Sequence, residues 1–378
     1  MSRILLPYAE QFDEMNRHLS SIAGALSYDV DISTWEGIQK AVRVGVAPRL
    51  IPVGTQLLVN HSLYGEKLYD VVAHNYFKSA YDEYAPTMTL LSHEVFPNVQ
   101  FDAPEAFYYA DAKLPAGTYN FTIPTSISDF ESGTYMFTLT KDLPMGGQLC
   151  IEIADVDGTD ELRVYAYASN TATNSIEYCS LGKGNGGTSL GTLGVELNHS
   201  NRVFYGSNNY KESAIRQLLN STSPSGSVWK PQTKFDRPPS WNTSRAGFAG
   251  GFDEDFLSAI GAVIVPCAAN NTYESPDSTV TKGAKYTVAD KFYLASQKEL
   301  FGTGGNTVGD DSVLFPYYKD ATNADRIKYR DGSASNWWLR SASSQSTCYT
   351  HCVSYNGGVD YYLSVDRTLG FVPAFTIV

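Results

Sequence analysis

Asn336-Trp-Trp-Leu-Arg-Ser341 and Gly370-Phe-Val-Pro-Ala-Phe375 frame the last part of this 378-residue chain. Both read as short strands. Their large rings, Trp337, Trp338, Phe371 and Phe375, are assigned to a core, because they lie within the strands and not between them. The run between them, residues 343–367, has no sustained apolar alternation and is expected at the surface. It sets Tyr349, Tyr355, Tyr361 and Tyr362 among Ser and Gly. That mix suits binding, since Tyr brings large amphipathic contact area at little entropy cost and Ser and Gly adapt.

Outward from there, Lys291-Phe-Tyr-Leu-Ala-Ser296 reads as a strand and Gln297-Lys-Glu-Leu-Phe-Gly302 as a short helix. Ser213-Ala-Ile-Arg-Gln-Leu-Leu-Asn220 and Asp253-Glu-Asp-Phe-Leu-Ser-Ala-Ile260 read as helices, the second with acids in its first turn as the dipole favours. Residues 180–201 are rich in Gly, Ser, Thr and Asn and read as a loop or domain junction.

Before that junction the period is two. Stretches beginning at Leu50, Leu68, Met88, Gly117, Thr134, Gln148 and Glu161 alternate as strands with Gly/Pro turns, the pattern of a β-sandwich-like domain. Leu114-Pro-Ala-Gly and Leu143-Pro-Met-Gly are similar turn units, read as repeated hairpin chemistry and not as a true repeat. Asp155-Val-Asp-Gly-Thr-Asp-Glu161 could ligate Ca²⁺, but Asp-Gly between two alternating runs is a hairpin turn, and the twelve-residue calcium-loop pattern is absent.

At the N-terminus Tyr8, Phe12, Met15, Leu19, Ile22 and Leu26 form a short heptad stripe over residues 7–27, a single packed helix or an oligomerisation handle. A second helix is expected after Ser33 or Thr34 as N-cap, with Trp35, Ile38 and Val42 on one face.

Composition narrows the function. Charged residues are only 18%, aromatics are 13%, and the net charge is −12. A long helical rod and a disordered chain are disfavoured, and a sequence-independent nucleic-acid binder needs the opposite sign. No apolar run reaches the length of a membrane-spanning helix. The start lacks the apolar core of a secretory signal, so ordinary export is not expected. Five cysteines in a chain this long are no disulfide framework.

Catalytic signals are poor. The six histidines never lie at metal-ligand spacing, and no phosphate loop or Gly-x-Ser-x-Gly elbow occurs. Asp310 and Asp311 are adjacent, but acid–base work needs spatial pairing. Cys348-Tyr-Thr-His-Cys352 is the one notable pair. It could form a disulfide, bind a soft metal or act in redox chemistry, or be merely two small side chains.

Asn336-Trp-Trp-Leu-Arg-Ser341 and Gly370-Phe-Val-Pro-Ala-Phe375 resemble the closing segment of C-type-lectin-like folds of the formylglycine-generating-enzyme branch. Tyr205-Gly-Ser-Asn-Asn-Tyr-Lys-Glu-Ser-Ala-Ile-Arg-Gln217, Lys291-Phe-Tyr-Leu-Ala-Ser296 and Ile327-Lys-Tyr-Arg330 extend the resemblance over about the last half of the chain. Upstream stretches such as Gln100–Tyr109 and Leu114–Thr122 look like proteins of gut bacteria and their phages. The whole chain resembles a variable protein of a diversity-generating retroelement, the class that includes phage tropism determinants. Such elements randomise adenines, often in Asn codons that end in a pyrimidine, and so never yield Trp, Met, Lys, Glu or Gln. Residues 341–370 contain no Trp, Met, Lys or Glu and a single Gln, Gln345, which would then be a fixed position. The sugar motifs of calcium-dependent lectins do not occur, and Cys348/Cys352 match poorly the copper-binding pair of the enzyme branch.

The expected architecture is α+β. It comprises an N-terminal helical segment (1–46), a β-rich sandwich-like domain (47–190) and a C-type-lectin-like domain (191–378) with a variable region at about 341–370. The resemblance implies a ligand-binding protein and no enzyme, cofactor or metal. The expected contact residues are Ser343, Ser346, Cys348, Tyr349, His351, Cys352, Tyr355, Asp360, Tyr361, Tyr362, Ser364, Asp366 and Arg367. The expected partner is a protein or glycan receptor on a cell surface, met by a homo-oligomer, trimer favoured, on a phage tail or cell surface, with no nucleic acid and no membrane insertion. Two alternatives stand beside this: a copper/thiol oxidase using Cys348 and Cys352, and an undiversified structural phage component.

Overall fold

Thr34 ends an extended stretch and turns the chain into the helix Trp35–Arg43, its hydroxyl accepting from the Gly37 amide at 3.1 Å. Glu36 sits in the first turn and Arg43 in the last, as the dipole favours. Ile38, Ala41 and Val42 are buried, and the Trp35 ring meets Phe256 edge-on at 4.9 Å. This is the expected second helix. The heptad stripe over residues 7–27 lies outside the described residues. The computed structural model describes residues 30–123, 132–156, 159–183, 188–194, 206–269, 284–345 and 348–378.

The chain is β-rich, and its five α-helices among the described residues are short. None is long and apolar enough to cross a membrane. Ser213, Asp253 and Ser296 cap three of them, at Ala214–Asn220, Glu254–Ala259 and Gln297–Phe301, each accepting a backbone amide.

Two five-stranded sheets share one core. The first runs Gln56–His61, Gly65–His74, Met88–Ser92, Pro373–Ile377, Phe292–Leu294, antiparallel throughout. The second runs Val359–Ser364, Tyr349–Val353, Trp337–Ala342, Thr368–Phe371, Phe96–Gln100, with one parallel contact at Trp337↔Gly370. Trp337, Trp338, Phe371 and Phe375 are buried in that core as expected. Gly370 is required where strands cross: a Cβ there would lie 2.0 Å from the Val95 side chain.

The expected domain boundaries are corrected by this pairing. Residues 47–101 belong with the C-terminal part, not with the sandwich. The reason lies in Pro373–Ile377, which is buried along its whole length. A strand apolar on both faces needs neighbours on both edges, and Met88–Ser92, equally buried, supplies one.

The sandwich is an insertion between Phe101 and Gly206. Tyr108–Tyr109, Gln148–Val156, Thr159–Tyr167 and Glu177–Ser180 form one sheet; Gly117–Ile123, Gly133–Leu139, Gly182–Lys183 and Thr192–Leu193 form the other. Phe107, Phe121, Phe137, Leu149 and Val164 pack in their common core. The two Leu-Pro units pair with each other, Leu114 and Leu143 exchanging backbone hydrogen bonds of 2.9 and 2.8 Å. Val156 lies opposite Thr159, in keeping with a hairpin at Asp157-Gly158, residues that themselves lie outside the described ones.

The insertion's ends touch. The Ser207 amide donates to the Asp102 carboxylate at 2.8 Å. A Cβ on Gly206, at φ +77°, would lie 2.4 Å from the Ala103 carbonyl. The sandwich also docks on residues 233–237. The Ala106 amide donates to the Phe235 carbonyl at 2.7 Å. The Arg237 guanidinium lies 3.4 Å from the Tyr167 ring centroid and donates to Gln148 Oε1 at 3.0 Å.

Candidate functional site

Trp337–Ala342 is buried at all six positions and pairs, in the same sheet, with Tyr349–Val353 of the candidate binding segment. Its Arg340 is fully buried and grips Glu299, equally buried, in a fork of 2.7 and 2.5 Å. Burial alone would pull the guanidinium's pKa down; the Glu299 carboxylate, with Asp310 at 3.9 Å, more than offsets it. The remaining donors reach the Pro266 carbonyl (3.0 Å), the Leu294 carbonyl (2.6 Å) and the Ser312 hydroxyl (2.9 Å). One side chain therefore ties together strands 263–269, 292–294 and 337–342 and the loop at 310–312.

After the strand Trp337–Ala342 the chain leaves the sheet at Ser343, which is itself buried. Its backbone pairs with Thr307, the Ser344 amide donates to the Asn306 carbonyl at 2.9 Å, and the Ser343 amide donates to the Tyr349 carbonyl at 3.0 Å. The strands Tyr349–Val353 and Val359–Ser364 follow as an edge hairpin.

The expected contact residues divide. Tyr355 is 64% exposed, Arg367 is exposed, and Tyr349, Asp360 and Asp366 are half-buried. Ser343, Cys348, His351, Cys352 and Ser364 are buried and are corrected here: they cannot meet a receptor directly. Missing alternation misled the reading, because small polar residues go inside once bonded. Ser343 Oγ accepts from the Gln345 amide at 3.2 Å, and Ser364 Oγ donates to Asp366 at 2.5 Å. Cysteine packs as a small hydrophobe. Ser346 lies outside the described residues. Tyr361 and Tyr362 lie in the edge strand, and their side chains are outside what is described.

The hairpin also separates the set. Tyr349, Asp366 and Arg367 lie at the end that meets Ser344, Gln345 and Asn306. Tyr355 lies at the far turn, its amide bonded to Asn336 Oδ1 at 2.7 Å, a strand's length of very roughly 17 Å away. Ser344, Gln345, Asn306 and Asn356 are exposed and were missed. The sequence signal for Asn306 was the Gly304-Gly305-Asn306 turn, in which Asn306 takes a positive φ of 57°.

The cysteine pair lies inside the sheet. Cys348 and Cys352 are buried and unbonded to each other. Burial, then the Asp360 charge, pushes the Cys352 thiol well above its ordinary range, so without a bound metal it stays protonated at neutral pH. The described residues also hold no group of three or more His, Cys, Asp or Glu side chains able to bind a metal.

The profile of a family described as a domain of unknown function (DUF6273) matches residues 185–378, just over half of the chain. The chain belongs to that family. No curated protein and no solved structure matches the chain. The DUF6273 segment holds the candidate site entirely, but not the strands between residues 56 and 100 that complete both of its sheets.

His351 gives the site a pH signature. Burial lowers its pKa to about 4, against the bond to the Asn306 carbonyl and the Asp360 charge, which act to raise it. Between pH 4 and 6.5 the unfolded chain binds the proton and the folded chain does not. This group's stabilisation is therefore present above pH 6.5 and lost as pH falls toward 4, by at most about 1.4 kcal/mol per unit. Urea titrations at pH 7 and 5 should show this loss, and His351→Gln should reduce it. An equal loss in both proteins would remove the assignment.

Proposed function

We propose that the chain is a ligand-binding protein, and not an enzyme, that carries a retroelement-diversified surface on a C-type-lectin-like unit. The observation that carries this reading is the restricted composition of residues 341–370, which lack Trp, Met, Lys and Glu. The edge hairpin at residues 349–364, beside a fully buried strand, supports it, because substitutions at its outward positions need not disturb the core. The contact set is Ser346, Tyr349, Tyr355, Asp360, Tyr361, Tyr362, Asp366 and Arg367. The partner is a protein or glycan receptor on a cell surface, and the carrier is a phage tail or cell surface. A homo-oligomer, a trimer in this reading, would add avidity to weak single sites.

Sequencing the DNA on either side of the coding region tests this. The expected result is a reverse transcriptase and a near-identical repeat that departs from these codons only at adenines. The mismatches should fall on the eight contact positions and spare Gln345 and the buried Ser343, Cys348, His351, Cys352 and Ser364. Absence of both repeat and reverse transcriptase would leave a structural component or a fixed-ligand binder.

A further inference from the structure

Lysine and aspartate are almost never fully buried unless paired. Lys328 is 4% exposed, and the group it faces, Asp70, is 2% exposed. Their charged atoms, Nζ and Oδ2, lie 3.6 Å apart. Asp70 belongs to the strand Gly65–His74, and Lys328 follows the turn Asn323–Arg326. The pair therefore joins an N-terminal strand to the C-terminal half of the chain. Each partner is fixed from elsewhere. Lys328 Nζ donates to the Ser92 carbonyl at 2.6 Å. Asp70 Oδ1 accepts from Gln56 Nε2 at 2.9 Å, and His93 Nδ1 lies 3.0 Å from Oδ2. Tyr318, also buried, stands close enough for the Asp70 charge to bear on its hydroxyl.

The surroundings work against the charges. Burial lowers the Lys328 ammonium to about 8, against the opposing pull of Asp70, so at pH 8 a sizeable share is the neutral amine. A buried ion pair is costly to desolvate, and a neutral replacement of like volume is often more stable. One neutral product needs no atoms beyond those present, since an ammonium and a carboxylate together contain one amide and one water. The fold also holds the two groups near the roughly 3–3.5 Å at which fixed partners react readily.

We propose that Lys328 and Asp70 condense into an intramolecular isopeptide bond that staples the strand Gly65–His74 to the C-terminal half. The bond Nζ–Cγ forms and the bond Cγ–Oδ2 breaks. Oδ2 leaves as water with two of the three ammonium protons, and Nζ keeps the third, so charge and atoms balance without an oxidant, reductant or cofactor. Gln56 polarises Oδ1, which becomes the amide oxygen. His93, whose side chain is 47% exposed and can exchange protons with water, is placed to carry a proton to the departing Oδ2. The bond closes a loop spanning most of the chain and so restricts the unfolded state as a long-loop disulfide does. The pair lies outside residues 341–370, so it stands whether or not that segment is diversified.

Denaturing mass spectrometry of the full chain, purified and held overnight at pH 8, tests this. The mass should fall one water below that of the sequence. A tryptic digest should hold one branched peptide, uncut at Lys328, that joins residues 68–78 to residues 327–330. Lys328→Arg and Asp70→Ala should each keep the full mass, and the parent's own mass decides the matter if either variant fails to fold. His93→Gln should condense about a hundredfold more slowly, and an equal rate would overturn its part in the step. A full-mass parent cut by trypsin at Lys328, or a lost water traced to another site, would overturn the proposal and leave an ion pair alone.

Discussion

Arg340→Met is expected to destabilise the chain by about 3–5 kcal/mol, a large share of the roughly 5–15 kcal/mol that holds an ordinary domain folded. The cost arises from what is left behind. Glu299 is fully buried, and without the guanidinium its carboxylate keeps only the Ser296 amide at 2.8 Å. The carbonyls of Pro266 and Leu294 and the Ser312 hydroxyl also lose a donor. Arg340→Lys should fall between, because an ammonium cannot reproduce the two-pronged contact. Pairing Arg340→Met with Glu299→Met should recover part of the loss, since the stranded charge is gone while the carbonyls stay unpaired. Urea unfolding of the four proteins at pH 7 gives the order. An Arg340→Met protein within about 1 kcal/mol of the parent would mean that the pair's net contribution is offset by its desolvation.

The second large effect concerns where the fold ends. Residues 185–378, the DUF6273 segment, should not fold when produced alone. They would lack Gln56–His61, Gly65–His74 and Met88–Ser92, three of the five strands of the first sheet, and Phe96–Gln100 from the second. Pro373–Ile377, buried on both faces, would then expose one edge and much of its apolar surface. The expected product is aggregated or lacks near-ultraviolet dichroism and cooperative unfolding. The opposite deletion should be tolerated. Replacing residues 105–205 with a short Gly/Ser linker keeps both five-stranded sheets, and Asp102 and Ser207 already lie in hydrogen-bond contact. A segment 185–378 that unfolds cooperatively, or a linker variant that does not, would show that the units are divided elsewhere.

Local features were readable along the chain. Thr34, Ser213, Asp253 and Ser296 cap helices because a short side-chain oxygen before an apolar run has one nearby amide to accept from. Most alternating runs became strands with small shifts at their ends, but the run from Leu50 does so only from Gln56, because Leu50 closes the helical turn Ala47–Leu50. Trp337 and Trp338 went to the core because nothing but burial repays so much apolar surface. The site was legible only in part. Tyr355 and Arg367 are exposed, but Ser343 and Ser364 are inside, and the difference rests on partners such as the Gln345 amide and Asp366. Exposure of a small polar residue depends on what bonds it, which no period in the sequence encodes.

Sequence alone therefore determined the β-rich middle of the chain, the Thr34 helix start, the aromatic core strands and the restricted composition of residues 341–370, since each follows from residue type and near-neighbour spacing. Tertiary structure alone decided three other things. Residues 47–101 complete the C-terminal sheets, the sandwich is an insertion with touching ends, and Tyr355 is parted from Arg367 by the length of a hairpin. Strand pairing brings together residues far apart in the chain through backbone groups that every residue carries. The partner of a strand is settled only when the whole core closes around it.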